Sequence, residues 1–278
     1  LRSAGAGMGD CAATSREPRR PDDGGHDLRG LRVLNPRPAA QAAPLSASLR
    51  AAGAEVIDLP LLEIAPLPLS SDGRACLLAL DRYDGVLFVS TNAARLGLDA
   101  VAGLWPQWPH RLPAFAVGAV TAQVLADAAL TVACPQQEDS EGLLALPAMQ
   151  AVAGQRWLLF RGDDGRELLR ETLQARGATV DVLPLYRRVL PDTAAERWAS
   201  LPAPPDAVLL TSPRVWQHWR QVAGQDALRP LLVTVSERLA GTVRDAGAPA
   251  VVNAGGMASE DWLQALSGWR ATGTRDIQ

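Results

Sequence analysis

A stretch near the start of this chain recurs, without a gap, 124 positions later. Leu34 meets Leu158, and Arg37 meets Arg161. Leu45, Leu49, Gly53, Ala54 and Val56 meet Leu169, Leu173, Gly177, Ala178 and Val180. Leu59-Pro60-Leu61 meets Leu183-Pro184-Leu185, and then the pattern breaks, because Leu62 faces Tyr186. A single apolar match carries little, but a run that includes glycine, proline and arginine marks a duplicated unit. In the second copy, Trp157 to Phe160 has the length of a buried strand, and Arg161 to Arg166 is a polar, glycine-bearing turn. Leu168, Leu169, Thr172 and Leu173 recur at helical spacing, and Gly177 closes the helix. A second strand begins at Val180 and leads through Pro184 to Tyr186, with Arg187 and Arg188 behind it.

The echo continues at slightly different offsets. Asp84 to Ser90 resembles Asp206 to Ser212, each a buried strand that ends in a hydroxyl residue before a helix. Val117-Gly118 resembles Val235-Ser236, and Ser140-Glu141 resembles Ser259-Glu260 as helix starts. Such alternation of strand and helix predicts parallel sheets covered by helices on both faces, an α/β class. The Pro- and Leu-rich runs Leu59 to Leu69 and Leu183 to Pro191 read as extended connectors outside the core sheets. Leu1 to Arg29 is rich in Gly, Ala, Arg, Pro and Asp and reads as a disordered tail that adds nothing to stability. It lacks the apolar core of a signal peptide and carries too many acids for a transit peptide.

The length, 278 residues, suits two domains of ordinary size. A net charge of −3 argues against a general nucleic-acid binder. Cys11, Cys76 and Cys134 lie far apart, which predicts reduced thiols in a cytoplasmic protein. His110 and His218 have no partner at metal-ligand spacing, and no apolar run is long enough to span a bilayer.

In an open parallel sheet, ligands bind beyond the carboxyl ends of the strands. The segments there are Asn35 to Arg37, Ser90 to Asn92, Gly118 to Thr121, Arg161 to Arg166, Thr211 to Arg214 and Ser236 to Arg238. Each leads into a helix, and helix N-termini bind anions through free N–H groups and a partial positive charge. The same residues also have plain structural readings. Ser90 and Ser212 serve as N-caps, Arg166, Arg170 and Arg176 as solvated helix positions, and Gly118 as a packing glycine. Tyr186 is either a linker aromatic or a functional group.

These motifs, taken in order, resemble the uroporphyrinogen-III synthase family in its bacterial form. The resemblance rests on NPRP with GAEVIDLPLLEI, then YDGVLFVSTNAA, FAVGAVTAQVL, CPQQEDSEGLLALP, RGDDGRELLRETLQARGATVDVLPLYRR, VLLTSPRVW and VSERLAGTVRDAG. It runs from about Leu31 to Leu266. It implies two α/β domains, each a parallel sheet flanked by helices, joined by a two-stranded antiparallel ladder. Residues 30–58 with 192–271 would form domain one and 68–179 domain two, with 59–67 and 180–191 as connectors and 272–278 as a C-terminal tail. The implied substrate is hydroxymethylbilane, a linear tetrapyrrole with eight carboxylates. It loses water, inverts its last ring through a spiro intermediate and closes as uroporphyrinogen III. No metal or cofactor is implied. The expected state is a monomer that takes its substrate by transient hand-over from hydroxymethylbilane synthase.

By the same resemblance Tyr186 is the candidate acid. The candidate substrate-binding residues are Arg37, Ser90, Thr91, Asn92, Gly118, Thr121, Arg161, Gly162, Arg166, Thr211, Ser212, Ser236 and Arg238. Asn35-Pro36 stands where many members have a hydroxyl residue before Arg-Pro, and Val235-Ser236 replaces a glycine-bearing turn. A rival reading is a non-enzymatic two-domain protein that closes over a small polyanion. A glycosyltransferase is a third, but no GxGxxG or Walker loop supports a nucleotide site.

Overall fold

The structure is a computed structural model, and it describes residues 26–273. The first half of the chain forms β1 (Arg32–Asn35), α1 (Ala39–Ala51), β2 (Glu55–Asp58), β3 (Glu63–Pro66), α2 (Ser71–Leu78) and β4 (Gly85–Phe88). It continues with α3 (Thr91–Ala102), β5 (Ala114–Ala116), α4 (Ala119–Asp127), β6 (Val132–Ala133) and α5 (Ser140–Ala145). The second half forms β7 (Arg156–Gly162), α6 (Leu168–Ala175), β8 (Thr179–Val189), α7 (Ala194–Ala199) and β9 (Ala207–Leu210). After these come α8 (Pro213–Ala223), β10 (Leu231–Thr234), α9 (Glu237–Asp245), β11 (Val251–Asn253) and α10 (Ser259–Gly273).

One sheet has the order β11-β10-β9-β1-β2, and the other β3-β8-β7-β4-β5-β6. Under the duplication β1 corresponds to β7, β2 to β8, and β9, β10, β11 to β4, β5, β6. The two sheets are therefore the same sheet, except that β3 is added to the second. Each takes its opening unit from one copy and its later strands from the other. The repeat also holds in detail. Gly53 and Gly177 both take left-handed φ values, 92° and 88°, past the ends of α1 and α6. In both, the next amide reaches back to a carbonyl of the last turn, Ala54 N to Leu49 O and Ala178 N to Leu173 O, each at 3.0 Å. This is the glycine stop that ends a helix and redirects the chain into the next strand. β4, β9 and β10 are buried along their whole length, as parallel strands covered on both faces must be.

Two expectations need correction. The run Leu183 to Pro191 was expected to lie outside the core sheets, but β8 is one continuous strand of 11 residues. Its first half pairs with β7 in parallel, and its second half pairs with β3 antiparallel, so the expected boundary at 179/180 falls inside it. Proline does not break it because the β7 register slips there: Arg161 faces Pro184, and Gly162 faces Tyr186. The bulge falls where proline has no N–H to offer. The β3–β8 pairing is the expected antiparallel ladder, from Glu63 opposite Val189 to Pro66 opposite Tyr186. The helix expected to start at Ser140 does so, and Asp139 caps it by accepting from the Gly142 amide.

Second, the tail reading was too generous at its end. Residues 1–25 lie outside the described residues, but Leu28 is fully buried against Leu31, Val33, Leu45 and Trp262. His26 reaches Ser267 and Glu260 on α10. Average composition hides one anchored leucine. Leu28→Ala should therefore lower unfolding stability by about 2–3 kcal/mol, the low range for a buried leucine. Urea denaturation checks this, and a midpoint equal to wild type would return Leu28 to the tail.

Candidate active site

The C-terminal ends of β1, β9 and β4 converge on one cavity of about 210 Å³. Arg37, Asn92, Arg188, Thr211 and Met257 line it. Arg37 enters on the turn after β1. Asn35 holds that turn, accepting from the Arg37 amide and donating its own side chain to Ser46. The Arg37 guanidinium donates to the Met257 carbonyl at 2.9 Å, while its buried Nε has no partner among the described residues. Burial lowers its pKa, so an anion beside it restores what water has lost.

Ser90 and Ser212 occupy equivalent places before α3 and α8. Both are extended, and both hydroxyls accept from the amide three residues on, Ala93 N and Val215 N. The capping reading thus holds for both. Thr91 and Asn92 follow in the first turn of α3 and border a wider hollow of about 750 Å³, continuous with the cavity along Pro38, Leu62 and Ile64.

Tyr186 is 1% exposed. Its hydroxyl lies 2.9 Å from Ser90 Oγ and accepts from Arg188 Nη2 at 3.3 Å. The phenol is therefore enclosed behind Ser90. The bulge in β8 explains this. An extra residue breaks the in–out alternation, so neighbours Leu185 and Tyr186 both point inward. Gly162 makes room, since a Cβ there would come within 2.9 Å of the ring.

Arg161 does not border the 210 Å³ cavity. Its side chain is 10% exposed and binds its own turn, donating to Gly165 O, Arg166 O and Glu167 Oε1. That hydrogen bond is the main reason the Glu167 carboxyl titrates below its ordinary value. Arg161 and Arg166, with Asp164 and Arg188, line a separate hollow of about 360 Å³. Gly118 caps α4, but the Glu138 carboxylate already sits there, bonded to the Ala119 amide at 3.1 Å. Thr121 is buried. Ser236 caps α9, with exposed Arg238 behind it; neither borders these three hollows. Arg176, read as solvated, ties α6 to the carbonyls of Leu144 and Met149.

Sequence reasoning missed Asp164 and Arg214. Asp164 accepts from Arg188 Nη1 at 2.7 Å and from Arg214 Nη2 at 3.0 Å. The signal was present in the Asp-bearing turn after β7 and in the arginine after Ser212, but nothing in either segment tells that they meet.

Fold and site define a protein of two matched α/β sheets whose meeting edges gather arginines and helix N-termini around an enclosed phenol. The profile of the family described as "Uroporphyrinogen-III synthase HemD" matches residues 43–264, and the chain belongs to that family. It is 34% identical over 236 residues to uroporphyrinogen-III synthase of Salmonella typhimurium, covering 77% of this chain and 90% of that protein. For the Escherichia coli enzyme the figures are 33% over 238 residues, 78% and 92%. Among solved structures, a mutant uroporphyrinogen III synthase from Thermus thermophilus matches 88% of this chain and 100% of its own, at TM-score 0.57 and 19% identity. The Helicobacter pylori protein gives TM-score 0.53 at 16% identity, covering 89% and 100%. At such identities these two structures bear on the fold alone.

Proposed function

We propose that this chain closes hydroxymethylbilane to uroporphyrinogen III, with loss of water and inversion of the terminal ring. The observation that carries the reading beyond family membership is the cavity itself. A free arginine donor and two capped helix starts from opposite sheets face one space beside an enclosed phenol. That is apparatus for holding carboxylates, and a linear tetrapyrrole carries eight. Arg37, Asn92 and Thr211 are the substrate contacts this geometry favours, with Ser90, Thr91 and Ser212 supplying helix N-termini. Arg161, Gly162 and Thr121 act instead by shaping the walls.

Tyr186 is the proposed acid for departure of the hydroxyl. At neutral pH a phenol, reference pKa about 10, is protonated and can donate. Closure to the product needs no group transfer from a cofactor. No helix among the described residues is long and apolar enough to cross a membrane. The reading extends to action in the cytoplasm as a monomer receiving substrate from hydroxymethylbilane synthase, and the free thiols of Cys76 and Cys134 suit a reducing compartment. The test is consumption of hydroxymethylbilane with chelator present and nucleotide absent. The protein should consume it faster than spontaneous closure does; a rate no faster, or one abolished by chelator, would overturn the reading.

A further inference from the structure

Asp164 sits where three elements meet. It belongs to the turn after β7, Arg188 to the far half of β8, and Arg214 to the first turn of α8, which packs on the other sheet. Its carboxylate divides between the two guanidiniums, one oxygen to each. Arg188 in turn donates to the Tyr186 hydroxyl and lines both the 210 Å³ cavity and the 360 Å³ hollow behind it. One carboxylate therefore bridges two arginines beside the phenol and ties the two sheets' edges together.

We propose that Asp164 is a resident competitor for the substrate's carboxylates, and that Arg188 and Arg214 are substrate-reading residues released when it is displaced. The size of the inner cavity favours such a release. Drug-sized ligands fill pockets of roughly 300–1,000 Å³, and a tetrapyrrole is larger still. The wider hollow of about 750 Å³ can receive such a ligand, but the inner 210 Å³ space that Arg188 lines cannot take it whole while the edges stay in contact. The Asp164–Arg214 bridge is such a contact. It is also the kind that exchanges readily: the three side chains are 26%, 35% and 41% exposed, so water and an incoming carboxylate can reach them. An arriving carboxylate replaces Asp164 on the guanidiniums, with no net loss of ion pairs. The same exchange frees Arg188 to move, and with it one of the two groups that hold the Tyr186 hydroxyl.

The inference rests on the polycarboxylate substrate, so the wild-type protein is the control. If it does not convert hydroxymethylbilane to isomer III, the functional reading falls. If it does, the variants alone decide the role of Asp164. Asp164→Asn should lower KM and Arg214→Gln should raise it, each by roughly two- to tenfold, the range that one or two part-exposed ion pairs carry. Asp164→Ser, which lacks the amide, should move KM in the same direction as Asp164→Asn. Equilibrium binding of uroporphyrin, an octacarboxylate that cannot react, should follow the same two signs. A bridge that only fastens the structure shifts KM the same way whichever partner is removed. That result, or an unchanged KM in both variants, overturns the proposal.

Discussion

Tyr186→Phe should lower the turnover number by roughly ten- to a hundredfold while leaving KM nearly unchanged. The substitution removes one oxygen and keeps the ring that packs on Gly162. What is lost is the hydroxyl held 2.9 Å from Ser90 Oγ and bonded by Arg188. A positioned general acid contributes about 10²–10⁴-fold. The low end or below is expected here, because the substrate loses water unaided in solution and the harder task is steering the ring. That steering belongs to the groups that hold the carboxylates, so the product should remain isomer III. Wild-type turnover in the Phe variant would make Tyr186 a packing residue. A switch to isomer I would make it a residue that positions the ring. Its enclosure fits an acid exposed only after Arg188 and Ser90 have shifted, and it keeps the phenol out of contact with bulk water.

The second large effect falls on stability. Arg161→Met should cost about 3–4 kcal/mol, because two backbone carbonyls, Gly165 O and Arg166 O, lose a charged donor worth about 1.5–3 kcal/mol each. Their turn also carries Asp164, so turnover should fall along with stability. The pH dependence gives an independent check. The Glu167 carboxyl is held below its ordinary value of 4.5, chiefly by the Arg161 hydrogen bond. A carboxyl depressed in the folded state stabilises above its unfolded pKa, and that stabilisation is lost as pH falls through the folded value. The wild-type urea midpoint should therefore decline on acidification below about pH 4.5, and the Met variant should show a shallower decline. A Met variant with wild-type stability would mean that the turn holds without its arginine.

The duplication made most of the fold legible. Matching glycines at 53 and 177, and matching serines at 90 and 212, have the same backbone geometry in the structure. The single mismatch of the repeat, Leu62 against Tyr186, marks the place where the copies differ in structure. The repeat did not reveal which way Tyr186 points. Strand alternation depends on register, and the register changes at a bulge that one proline makes locally acceptable. The anchor at Leu28 was hidden for another reason: a tail's mean composition says nothing of a single side chain meeting Trp262 and Leu45. The partners of Arg161 were hidden because a guanidinium in a polar turn looks the same in sequence whether it serves a ligand or its own carbonyls. The Asp164 bridge joins positions 24 and 50 residues apart, in elements whose proximity only the folded chain sets.

The central claim is that this cleft directs ring closure, and the identity of the product tests it most directly. Purified protein is mixed with hydroxymethylbilane, the reaction is stopped before spontaneous closure contributes, and the oxidised products are resolved by isomer. The account predicts uroporphyrin III as the dominant product, at a rate proportional to enzyme. Uroporphyrin I in the proportion formed without protein would contradict it.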